Sequence, residues 1–139
     1  MGGIVPEPGP DGRIQRTFHV EQQIAADRYY AANLLGELKD PRVVPILISL
    51  LKDPEVNYFV PWRLAEIGDR RAVVPLINTL ASSDPSMRVF AIRALAKLKA
   101  REAIPAIYPL LKDNDRSRVD DLISVSDASR EALAQLNAR

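Results

Sequence analysis

The chain has 139 residues, 47% of them hydrophobic, which is enough for one continuous core. Nineteen Lys and Arg against eighteen Asp and Glu leave a net charge of +1, so no global electrostatic case exists for nucleic acid or an anionic membrane. Cysteine is absent, excluding disulfides and thiolate chemistry, and no apolar run approaches the ~20 residues of a membrane span or forms a signal peptide, so the chain reads as cytoplasmic.

Residues 1–13 read as a flexible tail, with three prolines and four glycines in MGGIVPEPGPDG, and 14–139 as a single repeat domain. From Arg13 to Ala26 the pattern is ambiguous. Ile14, Phe18 and Ile24 line one helical face, whereas Ile14, Phe18 and Val20 fit a period of two. A helix from about Phe18 is favoured, covering the open end of the first repeat.

Three segments then align: RYYAANLLGELKDPRVVPILISLL from Arg28, NYFVPWRLAEIGDRRAVVPLINTL from Asn57, and RVFAIRALAKLKAREAIPAIYPLL from Arg88. Leu35, Leu64 and Leu95 match, as do Val44, Val73 and Ile104, and Leu51, Leu80 and Leu111, at offsets of ~29 and ~31 residues. Apolar positions step by three and four, so each unit is two amphipathic helices, A and B. Helix A is expected at about 25–38, 54–67 and 85–98, and helix B at about 41–52, 70–81 and 101–112, making repeats of 25–52, 54–81 and 85–112. Asp40 with Pro41, Asp53 with Pro54, and Asp84 with Pro85 supply N-caps followed by proline at the first helical position. Beyond Leu111, ALAQL at Ala132 matches ALAKL at Ala94 only after about seven extra residues. The expectation is a polar loop over Asp113 to Ser124, then a capping helix at about 126–137 with Ser126 or Asp127 as its cap. The fold class is therefore all-α: a solenoid or superhelix of about three antiparallel hairpins with a capping segment at each end.

Gly68, Asp69, Arg71, Ala72, Val73, Leu76, Ile77 and Leu80, together with the pattern of Met87, Arg88, Ala91, Ala94 and Leu95 in the next unit's first helix, resemble short prokaryotic HEAT repeats of the phycobilisome-lyase-like type over about 25–137. That resemblance implies a bond from Arg88 to Asp69 between adjacent units. Asn57 and Ala100 depart from the pattern, which implies an incomplete ladder. The family includes chromophore-lyase subunits and degradation adaptors, so the resemblance specifies fold rather than function.

Two candidate binding regions follow. On the concave face lined by the B helices, Ile46, Pro75 and Ala106 form one row, Ser49, Asn78 and Pro109 the next, with Arg42, Arg71 and Glu102 at the edge. A row this apolar suits a partner helix or peptide, and its alternative is close packing of a curved face. In the second unit Tyr58, Phe59, Trp62 and Arg63 form an aromatic and cationic group of hot-spot type beside Pro61. Either Pro61 kinks helix A, or that helix starts late near Phe59 and the rings fill irregular packing, which is the favoured reading.

Arg88, Arg93, Lys97, Lys99 and Arg101 make the third unit basic, read as a solvated face before a nucleic-acid surface. His19 is the only histidine, so no metal cluster or catalytic triad can be assembled, and no cofactor is expected. Asp113, Asp115, Asp120 and Asp121 lack the glycine and glutamate of a calcium loop and read as a solvated turn. The functional expectation is a non-enzymatic protein-interaction scaffold or adaptor, monomeric or weakly self-associating, that binds a protein or peptide on the B-helix face. Its alternatives are a non-catalytic subunit of an enzyme or chromophore-lyase-like complex, and weak nucleic-acid binding by the third repeat.

Overall fold

A computed structural model describes Leu34, Glu37 and residues 39–53, 58–119 and 122–138. The expected tail and N-terminal cap lie outside the described residues, as does most of the first A helix, in which Leu34 and Glu37 are helical.

Two layers of helices result from the three-and-four spacing. α1 (Val44–Ser49), α3 (Val73–Thr79) and α5 (Ile104–Ile107) form the B layer. α2 (Val60–Ile67), α4 (Pro85–Lys97) and α6 (Val125–Asn137) form the A layer. α4 is central, packing on α2, α3 and α6. Nine of its thirteen residues are buried, so it is covered on most of its circumference rather than on one stripe. Fully buried Ala91 and Ala94 let its neighbours approach closely, while Leu64, Leu76, Ile92, Leu95 and Ile107 fill the core.

The B segments are not uniform α-helix. Each opens with a 3-10 turn, at Pro41–Val43, Arg70–Ala72 and Arg101–Ala103, and the first and third also close with one, at Leu50–Lys52 and Tyr108–Lys112. Pro45, Pro75 and Pro105 explain the entry turns, because each lacks the N–H that an α-helix would direct at the carbonyl four residues earlier. At Pro41 a side chain from the next unit supplies a donor instead: Arg71 Nη2 donates to the Pro41 carbonyl at 2.8 Å.

The described helix A of the second unit is Val60–Ile67, preceded by a turn at Tyr58 and Phe59, and Pro61 sits in its first turn, which matches the late start near Phe59 and not a mid-helix kink. Missing its N–H costs nothing there. The C-terminal helix is capped by Ser124, whose hydroxyl accepts from Asp127 N, rather than by Ser126 or Asp127.

The A-to-B turns share one conformation. Lys39, Gly68 and Lys99 occupy equivalent positions at φ of 53°, 78° and 56°. In the third turn the Ala100 N–H reaches Leu95 O and the Lys99 N–H reaches Ala96 O, both at 3.0 Å, the double bond of a Schellman motif. Gly68 has open space where a Cβ would stand, so Gly68→Ala tests backbone strain alone. We expect it to lower stability by about 1 kcal/mol in chemical denaturation.

Arg88 does not reach Asp69. It lies in the first turn of an A helix, at the opposite end of the hairpin from the A-to-B turns, where Asp113 and Asp115 follow the third B segment. Its Nε is 2.9 Å from Asp113 Oδ2 as an ion pair outside hydrogen-bond alignment, Nη2 donates to Asp115 Oδ2 at 2.9 Å, and Nη1 to Ser82 O at 2.8 Å. At these two positions the acidic loop is therefore a clamp on a buried arginine and not a solvated turn. Asp69 instead caps its own B segment and pairs with Arg71, as Asp40 does with Arg42. Units are joined along the turn edge by other arginines: Arg71 to Pro41 O, Arg70 to Leu98 O and Glu102, and Arg101 to Ala138 O.

Candidate functional site

The B layer presents an uncharged strip. Val74 and Tyr108 are 65% and 61% exposed, and Ile46 is 47% exposed, with Ser49, Asn78 and Pro109 also at the surface. Pro75 is half-buried, and Ala106 packs partly against the core. Pro75 and Asn78 lie together in a groove of about 610 Å³ between the first and second hairpins, with Ile48, Leu51 and Met87 as its apolar wall. Two hydroxyls of this face are directed at the backbone, Ser49 Oγ to Ile46 O and Thr79 Oγ1 to Pro75 O. Arg42 and Arg71 stand at the edge, each held by its capping aspartate. These hydrogen bonds are the main cause holding the Asp40 and Asp69 carboxyls below the usual carboxylate range.

The A layer carries a second depression. Tyr58, Phe59, Trp62, Phe90, Arg93 and Val119 line a groove of about 480 Å³. Trp62 and Arg93 continue into an adjoining groove of about 330 Å³ that also meets Lys97, Glu131 and Gln135. Trp62 is 51% exposed, and Lys97 Nζ sits 4.8 Å above its ring. Tyr58 meets Phe90 edge-to-face at 6.0 Å and donates its hydroxyl to Asp84 Oδ2 at 2.6 Å. Arg63, adjacent to these rings in sequence, lines neither groove; it pairs with Glu66 at 3.0 Å and with Glu37 at 3.7 Å, toward the first unit. Its helix position differs from that of Trp62 by about 100°, which separates their directions.

Phe90 and Val119 are groove residues that the repeat pattern does not single out. Phe90 carries a signal, since it aligns with Tyr30 and Phe59 at the third place of each copy, whereas Val119 belongs to the insertion and has no counterpart. The loop holding Val119 is tied to α4: Arg118 N donates to Ser86 Oγ at 2.7 Å, and Ser117 Oγ is 3.2 Å from the same buried hydroxyl. An isolated antiparallel bridge joins Arg116 to Ser124 across it.

The hydrogen bond to Asp84, with lesser help from burial, raises the Tyr58 phenol above its usual 10.0. Its contribution to stability is thus complete below pH of about 10 and is lost as pH rises through the higher folded value. Phenolate difference absorbance should show a high-pH component that Tyr58→Phe removes and Asp84→Asn moves downward.

Arg93 and Lys97 of the third unit's five cations line one groove, and others are spent on contacts within the fold. Arg88 is buried on two aspartates, Lys97 lies over Trp62, and Arg101 binds the Ala138 carbonyl. Among the described residues no group of His, Asp or Glu could hold a metal, and no helix is long and apolar enough to cross a membrane.

Paired antiparallel helices stacked around one core and bearing grooves define an α-solenoid of helical hairpins. A family profile for HEAT repeats matches residues 21–83 and 73–123. The chain is 44% identical over 88 residues to the bilin biosynthesis protein PecE of Nostoc sp., covering 61% of this chain and 35% of that protein. It is 45% identical over 87 residues to PecE of Mastigocladus laminosus, covering 60% and 32%. It is 35% identical over 154 residues to the phycocyanobilin lyase subunit alpha of Picosynechococcus sp., covering 92% and 57%. The chain belongs to the HEAT-repeat family, in its phycobilisome-lyase-like type. It spans about a third of the PecE proteins and 57% of the lyase subunit.

Proposed function

We propose that this chain is a HEAT-repeat subunit of a bilin-lyase-type assembly, docking a protein partner on its B-layer strip. The similarity that carries this reading is the match, across 92% of this chain, to a protein named as one subunit of a phycocyanobilin lyase. A subunit implies a partner chain, and that replaces the broader scaffold expectation with a specific kind of complex. The B strip supports the docking side: it is apolar at Ile46, Val74 and Tyr108 and grooved at Pro75 and Asn78, with Lys52 the one charged side chain on the groove's wall. Aromatic and aliphatic anchors seated in such grooves carry most of an interface's energy, and rim charges carry little. Nucleic-acid binding by the third unit has less support, because Arg88 is buried on two aspartates and Arg101 binds the Ala138 carbonyl.

The test is calorimetric titration of this chain with the second subunit of a phycocyanobilin lyase. Ile46→Asp and Val74→Asp are expected to weaken association at least about tenfold each, because each buries an unpaired carboxylate in an apolar contact. Unchanged affinity in both variants, with helical circular dichroism intact, would remove the B strip as the docking surface.

A further inference from the structure

The A-to-B turn edge concentrates positive charge. Across residues 39–42, 68–71 and 99–102, Lys39, Arg42, Arg70, Arg71, Lys99 and Arg101 are all exposed, against the acids Asp40, Asp69 and Glu102. The whole chain carries only +1, and the opposite edge reverses the balance, with Lys52 and Lys112 against Asp53, Asp84, Asp113 and Asp115. The cations of the turn edge are not equivalent. Each arginine is engaged within the fold, on its capping aspartate, on Glu102 or on a backbone carbonyl. Among the described residues no ion pair engages Lys39 or Lys99.

Those two lysines also hold the backbone at φ of 53° and 56°, where the second unit has Gly68. A residue with a Cβ is strained in that region, and glycine is not. The helix dipole does not call for them there, because a cation in the last helical turn, as Lys97 is, meets the C-terminus without strain. Two of the three turns thus keep an exposed ammonium where glycine would relax the backbone. We propose that this edge is a docking surface for an acidic helix of a partner protein, whose carboxylates meet Lys39 and Lys99. Neighbouring helices of one layer lie roughly 8–10 Å apart, so two unit steps put the lysines on the order of 20 Å apart. A helix covers that span in about 13 residues, and acids three or four apart along one face reach both turns. Carboxylates fit better than phosphates. A continuous phosphate backbone would pass over Asp40, Asp69 and Glu102, whereas spaced side chains can be set at the lysines alone. The edge adjoins the B strip at Arg42 and Arg71 but shares neither Ile46 nor Val74 with it.

Fluorescence anisotropy at low salt tests this with a labelled alanine-based peptide of about 16 residues carrying glutamates along one helical face. Saturable binding is expected, weakened about tenfold when Lys39→Gln and Lys99→Gln are combined. The combination of Lys52→Gln and Lys112→Gln removes the same charge from the opposite edge and should leave affinity unchanged. Lys39→Gly with Lys99→Gly should give the same tenfold loss while the urea midpoint holds or rises, which separates lost docking from lost folding. Equal weakening by the two glutamine pairs reduces the effect to net charge and overturns the site. Equal affinity for a peptide with the same glutamates spread around the helix overturns the match to one acidic face. A single-stranded DNA oligomer of equal charge that binds more tightly than the peptide, and loses affinity with the same lysines, assigns the edge to nucleic acid and overturns the carboxylate partner.

Discussion

Leu95→Ala is expected to lower unfolding free energy by about 3–4 kcal/mol, and the melting temperature by roughly 10–15 °C. Leu95 is fully buried in α4, the helix that touches both A-layer neighbours and α3, so the cavity opens at the centre of the stack and has no flexible edge into which to collapse. Against a typical total of about 5–15 kcal/mol, that is a large share. In a stacked array each unit is stabilised mainly by its neighbours, so the weakened centre should uncouple the two ends and broaden the transition. Urea unfolding followed by circular dichroism measures both effects. A loss under about 1 kcal/mol would mean that α4 is not the keystone.

Arg88→Gln is the second large effect, expected at about 2 kcal/mol. The guanidinium is 10% exposed and joins Ser82 O, Asp113 and Asp115, so its removal takes the charged partner from Asp113 and frees the start of the inserted loop. Asp115 is 70% exposed and can rehydrate, which keeps the figure below that of a fully buried pair. Hydrogen exchange at Arg118 N, bonded to Ser86 Oγ, should accelerate in the variant because the loop loses one of its two anchors on α4. Arg70→Gln, at an exposed pair with Glu102, should change stability far less, and the contrast separates burial from charge count.

Much of the architecture is legible in the sequence because a repeat compares like with like. Leu64 and Leu95 share a register and both are fully buried, so one position predicts the other, and the Asp-Pro punctuation locates helix starts. Asp40 and Asp84 do cap the helices that follow them. The same comparison is blind to contacts lacking a repeat counterpart. The family resemblance pairs Arg88 with Asp69, yet its acidic partners lie in the insertion after the last complete unit. Arg63 and Trp62 are neighbours in sequence, but a helix turns them apart. Lys39 and Lys99 adopt the same left-handed turn as Gly68, which residue type could not reveal because only one copy carries the glycine. The site is partly legible: Tyr58, Trp62, Pro75 and Asn78 line grooves, and Phe90 shows as the aromatic third place of its copy, whereas Val119 emerges only once the loop is placed beside α2 and α4.

Covalent attachment of bilin to an acceptor phycobiliprotein apo-subunit tests the central claim most directly, measured as pigment retained on the denatured acceptor. With phycocyanobilin, the acceptor and the second lyase subunit present, adding this chain should raise the attached pigment well above the level without it, and Val74→Asp should return it to that level. Equal attachment with and without this chain would contradict the account.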